Sequence, residues 1–85
     1  MLREVRADGA PAPVGPYSQA VVCGDLVFCS GQLGLDPATG AMAQGAAAQA
    51  RQALANLQAV LQAAGSSLDR AIKVTVYMTD LAHFP

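Results

Sequence analysis

Between Ala46 and Ala64, small apolar residues return every three or four positions: Ala46, Ala50, Ala53, Leu54, Leu57, Val60, Leu61 and Ala64. Gln49, Arg51, Gln52, Asn56, Gln58 and Gln62 fall mostly between them. A helix gathers residues at that spacing on one side, and most of these residue types are good helix formers. Gly65 supplies a natural C-terminal stop and Ser66-Ser67 a loop, so the spacing predicts a helix over 44–64. The stripe is rich in alanine and would let a sheet approach the helix axis closely. A helix with one apolar side requires a second layer to cover it.

The flanking sequence offers strands for that layer. Residues 18–23 and 26–30 are apolar runs around Gly24-Asp25, the composition of a two-residue hairpin turn of type I′ or II′. That turn sets Cys23 opposite Leu26, Val22 opposite Val27, Val21 opposite Phe28 and Ala20 opposite Cys29. Continued pairing sets Gln19 opposite Ser30 and Tyr17 opposite Gln32. Cross-strand partners share a face and neighbours along a strand alternate, so Tyr17 and Ser30 lie diagonally adjacent on one face. By the same rule Cys23 and Cys29 point to opposite faces, a poor geometry for a disulfide. Residues 72–78 alternate Ile72, Val74, Val76 and Met78 with Lys73, Thr75 and Tyr77, the period of a strand with one buried face. Residues 2–6 suit a short edge strand before a lead-in rich in Pro and Gly, and Asp80-Leu81 opens toward a second helix. The fold class expected is α+β.

Eighty-five residues make one small domain with a thin core. Hydrophobic residues at 53% and charged ones at 13% exclude intrinsic disorder. They also leave more apolar surface than a small monomer hides, so another subunit or further chain is expected to cover it. The five Lys and Arg are scattered and net charge is −1, which argues against a grip on nucleic-acid phosphates. No apolar run is long enough to span a bilayer, and the N-terminus has no apolar core of a secretory signal. With two cysteines and no export signal, the default compartment is the cytoplasm.

Candidate chemistry gathers where the hairpin opens. Tyr17 stands where an irregular segment becomes a strand, and reads either as an anchor of the lead-in or as a hydrogen-bonding group of a site. Ser30-Gly31-Gln32 ends the second hairpin strand, where Gly31 either bends the chain or lets a ligand approach the backbone. On the bending reading, Gly34 bends the chain along with Gly31. Asp36-Pro37-Ala38-Thr39-Gly40 is a surface turn. The cysteines lack metal-ligand spacing, His83 has no defined partner, and Asp80 reads as a helix N-cap. No nucleophile–base pair and no phosphate loop emerge.

Several segments in order nevertheless make a pattern: Gly15-Pro16-Tyr17-Ser18-Gln19-Ala20, Ser30-Gly31-Gln32, Asp36-Pro37 with Thr39-Gly40, Gln49-Ala50, Ala63-Ala64-Gly65, and Lys73-Val74-Thr75-Val76-Tyr77 before Asp80-Leu81. From about Gly9 to Phe84 the chain resembles the RidA/YjgF family of enamine/imine deaminases. That resemblance implies a chorismate-mutase-like α+β domain, a homotrimer with clefts between subunits, and no metal or organic cofactor. It implies hydrolysis of small 2-imino and enamine acids to 2-keto acids and ammonia; charge and hydropathy, as above, speak against nucleic-acid and membrane partners. Tyr17 and Ser30 match family residues lining the cleft, with the Gly31 backbone beside them. The family's carboxylate-binding arginine and its glutamate have no counterpart among these residues. The chain is thus expected to be a C-terminally truncated domain, its N-terminal two-thirds, with little activity as it stands. A non-catalytic ligand-binding relative and a translation-inhibiting, ribonuclease-like one are the alternative readings.

Overall fold

The computed structural model describes residues 2–79. Three short strands, β1 (Leu2–Val5), β2 (Ala20–Cys23) and β3 (Leu26–Cys29), precede one long helix, α1 (Ala46–Ala63), and a 3-10 turn over Leu68–Arg70. The strands form an antiparallel sheet in the order β1-β2-β3. The hairpin register is the one the turn implies: Cys23 pairs with Leu26, Val22 with Val27, Val21 with Phe28 and Ala20 with Cys29. Gly24 has φ +58, whereas Asp25 is not among the residues of positive φ. Type I′ requires positive φ at both positions, so of the two hairpin turns II′ remains. The Ser30 N–H continues the pairing to the Gln19 carbonyl at 3.0 Å.

The pleat divides the sheet into two unlike faces. Val5, Ala20, Val22, Val27 and Cys29 lie toward the core, where Val60 of α1 is fully buried and Ala59 and Ala64 pack. The lead-in contributes Ala7 and Ala10 to the same core. Small residues make this approach close: a Cβ on Gly9 would stand 3.4 Å from the Ala59 Cβ. Leu2, Leu26 and Phe28 lie on the opposite face and are exposed. Val60→Ala removes two methyl groups from the best-buried apolar position. It should lower stability by about 2 kcal/mol, read as an earlier denaturant midpoint with an unchanged slope.

Both ends of α1 have identifiable stops. Gly45 at φ +85 is not helical, so the helix begins at Ala46, two residues later than position 44. At the other end Gly65 takes φ +86, its N–H bonding the Gln62 carbonyl while the Ser66 N–H bonds the Leu61 carbonyl. Those two bonds are the Schellman arrangement.

The strand expected over 72–78 has no ladder among the described residues. Of its intended buried face, Ile72, Val74 and Val76 are exposed and Met78 is half-buried. Alternation specifies a face, but burial requires a neighbouring strand, and neither β1 nor β3 pairs with this segment. The helix start at Asp80-Leu81 and His83 lie outside the described residues.

Candidate functional site

The lead-in and the segment after β3 run as irregular chain from the open end of the hairpin, and a cavity of about 280 Å³ lies between them. Pro11, Ala12, Val14 and Tyr17 form one wall; Gly31, Gln32, Leu33 and Leu35 form the other, with Gln19 contributing to the lining. The size is at the small end of the range for ligand pockets.

Tyr17 is held by its own loop. Gly15 at φ +126 permits a tight turn in which the Tyr17 N–H bonds the Gly15 carbonyl at 3.0 Å. The ring thereby folds back, and its hydroxyl accepts the Val14 N–H at 3.2 Å. Accepting that bond leaves the phenolic O–H available as a donor, and the side chain is half exposed. Gly31 has nothing within 4 Å of where a Cβ would stand, so its backbone lies open.

Tyr17 and Gly31 therefore line one cavity, while Ser30 is not part of its lining. The Ser30 Oγ donates to the Ser18 carbonyl at 2.5 Å, tying the strands together beside the cavity. Gly31 and Gly34 differ in what surrounds them. Gly31 faces open space, whereas a Cβ on Gly34 would meet the Gln49 carbonyl oxygen at 2.6 Å and the Gln49 Cα at 2.7 Å. Gly34 is thus the place where the wall presses on the α1 backbone.

Sequence reasoning passed over two buried amides. The Gln19 Oε1 accepts the Ala7 N–H at 2.6 Å, and its Nε2 donates to the carbonyls of Ala7 and Pro11 at 3.1 and 2.9 Å. The Asn56 Nδ2 donates to the carbonyls of Leu33 and Leu35, both at 2.9 Å, and its Oδ1 accepts from Gln52 Nε2 at 2.9 Å. A signal existed for Asn56: it falls four residues before Val60, on the apolar stripe.

The remaining candidates stay apart from the cavity. Cys23 and Cys29 are both free; burial pushes the Cys29 thiol up, which weakens it as a nucleophile. Asp36 caps its own turn by accepting the N–H groups of Ala38 and Thr39. Among the described residues no cluster of three His, Cys, Asp or Glu could hold a metal ion. No helix among them is long and apolar enough to cross a membrane.

Residues 7–85 match the family described as endoribonuclease L-PSP. The chain belongs to that family, the RidA/YjgF family. Among its curated RidA/YjgF relatives, a RutC family protein of Sinorhizobium fredii is 51% identical over 85 residues, which cover 99% of this chain and 68% of that protein. A 2-iminobutanoate/2-iminopropanoate deaminase of Salmonella typhimurium is 44% identical over 84 residues, covering 99% of this chain and 66% of the deaminase. A solved structure from Thermotoga maritima superposes with TM-score 0.92 at 47% identity, over 96% of this chain and 65% of that one. The structure of Escherichia coli TdcF with bound serine superposes with TM-score 0.75 at 39% identity, over 78% of this chain and 52% of that one. The chain therefore spans about two thirds of the length of these curated RidA/YjgF relatives. Its sheet and helix match the chorismate-mutase-like fold of the family.

Proposed function

We propose that this cavity is the chain's share of an active site that hydrolyses small 2-imino acids. The observation that carries the reading is the anchored Tyr17 hydroxyl and the bare Gly31 backbone lining one small cavity. The similarity to a named 2-iminobutanoate/2-iminopropanoate deaminase supports the same choice. In the reaction a water oxygen adds to the protonated imine carbon, and the resulting carbinolamine collapses. The C–N bond breaks, the carbon retains the oxygen as a ketone, and nitrogen leaves as ammonium with the two protons of water. Tyr17 donates to the substrate or orients the water. Ser30, whose hydroxyl is committed to Ser18 beside the cavity, holds the chain where the Gly31 backbone allows close approach.

Among the described residues, no charged side chain lines the cavity. A cation that pairs with the substrate carboxylate is then supplied from outside this lining, by the part of the fold that the relatives add or by a neighbouring subunit. The exposed sheet face of Leu2, Leu26 and Phe28 supports the same homotrimeric assembly. We place the protein in the cytoplasm, acting without a metal or organic cofactor and without a membrane or nucleic-acid partner. Although the family description names a ribonuclease, the scattered Lys and Arg favour a small-molecule substrate over RNA.

The test is release of 2-keto acid from 2-aminoacrylate generated in situ by a pyridoxal-phosphate enzyme. The whole protein should accelerate that release, and Tyr17→Phe should lower kcat/KM about 10- to 100-fold, about 1.4–2.7 kcal/mol of transition-state stabilisation. Folded protein that gives no acceleration over buffer overturns the deaminase reading. Serine binding without acceleration would indicate the non-catalytic relative.

A further inference from the structure

We propose that Gln19 and Asn56 are positioning residues of the cavity, each fixing one of its walls through a buried side-chain amide. The inference deepens the site reading above and relies on it only for the ligand arm of the test. Both walls are irregular backbone, whose polar groups still require partners where they are buried. Among the described residues, Leu35 makes a single isolated bridge to Met42, and the lead-in makes no ladder after β1. Side chains therefore supply what a sheet would otherwise provide.

Gln19 stands just before β2 and is only 4% exposed. One carboxamide grips Ala7 at both its N–H and its carbonyl and then reaches Pro11, where the first wall begins. Asn56 projects from α1 and is 1% exposed. Its two N–H bonds go to carbonyls two residues apart, Leu33 and Leu35, both in the opposite wall. Gln52, one helical turn earlier, accounts for the Asn56 oxygen, so the amide has one satisfied orientation. A reversed amide would turn its oxygen toward two carbonyl oxygens.

Each wall thus hangs from a rigid element, the first from the start of β2 and the second from the middle of α1. The separation of those two elements sets the cavity's width. A site needs its groups held within a fraction of an ångström, and a misplacement of about 1 Å can cost about 100-fold.

The test compares Gln19→Ala, Asn56→Ala and the milder Gln52→Ala, which only releases the Asn56 oxygen. Amide hydrogen exchange reports each wall separately. The Ala10 N–H bonds within the first wall's approach, to Ala7; those of Asp36 and Ala43 bond at the second, to Ala41 and Gly34. Asn56→Ala should speed exchange at Asp36 and Ala43 at least tenfold and leave Ala10 within about twofold. Gln19→Ala should do the reverse, and Gln52→Ala should reproduce the Asn56 pattern more weakly. Serine, titrated by calorimetry, should bind each alanine variant of a clamp at least tenfold more weakly than the parent.

Exchange that rises uniformly at all three amides, or at none, in folded variants overturns the proposal. So does serine affinity within twofold of a parent that binds it. If Asn56→Ala does not fold, Gln52→Ala and Gln19→Ala decide by the same pattern. A parent that does not bind serine counts against the site reading alone, and the exchange arm then decides the proposal by itself.

Discussion

Gly34→Ala should destabilise the protein by about 3–4 kcal/mol and lower its melting temperature by about 12–30 °C. The added Cβ would meet the Gln49 carbonyl oxygen at 2.6 Å, its Cα at 2.7 Å and its carbonyl carbon at 3.0 Å. All three atoms are backbone of α1, so no rotamer change relieves the contact. The segment must instead back away from the helix, and in doing so it lengthens the Asn56 bonds to Leu33 and Leu35. Overpacking of this kind costs about 1–3 kcal/mol, and each weakened buried hydrogen bond adds about 1 kcal/mol. Against a total stability of about 5–15 kcal/mol, that is a large fraction. Thermal unfolding followed by circular dichroism checks it, with Gly31→Ala as the control, since a Cβ there meets open space. A Gly34→Ala melting temperature within about 3 °C of the parent would show that the wall does not rest on the helix.

The parts of this architecture that the sequence made legible are those fixed by local chemistry. Gly24-Asp25 determines a turn, the turn determines the register, and the register determines which residues face the core. Gly65 similarly ends α1 because its positive φ closes two backbone bonds. Less was legible where the deciding partner is distant. The alternation over 72–78 describes a half-buried strand, yet pairing depends on a second strand that no local pattern names. Asn56 reads as part of the solvent side by residue type alone. Its position on the stripe, three residues after Ala53 and four before Val60, argued the opposite. An amide on an apolar stripe requires internal partners, and those partners lie more than twenty residues away in the chain. The diagonal adjacency of Tyr17 and Ser30 was likewise a statement about sheet faces. Beyond the last paired residues the lead-in turns at Gly15, so Tyr17 lines the cavity across from Gly31 while the Ser30 hydroxyl is spent on Ser18.

Gly31 and Gly34 stand three residues apart, and the structure gives opposite reasons for each to lack a side chain. Gly34 leaves room for the α1 backbone; Gly31 lines the cavity and faces open space. Gly31→Val should therefore separate folding from function. Gly31 does not lie in the positive-φ region, and the space beyond its Cα holds no protein atom within 4 Å. A Cβ can be built there without displacing a neighbour, so the melting temperature should stay within about 3 °C of the parent. Gly31 lines a cavity of only about 280 Å³, across from the Tyr17 wall, so a branched side chain there is expected to narrow it. Under the deaminase reading, kcat/KM for 2-aminoacrylate should fall at least about 100-fold, equivalent to about 2.7 kcal/mol. Most of that loss should appear as a raised KM, because the residue excludes the substrate before any chemistry begins. Gly31→Ala, with one methyl group, should fall between parent and valine variant. A folded Gly31→Val protein with undiminished turnover would place the substrate somewhere other than this cavity. A Gly31→Val protein that unfolds would instead assign Gly31 to packing and remove the contrast with Gly34.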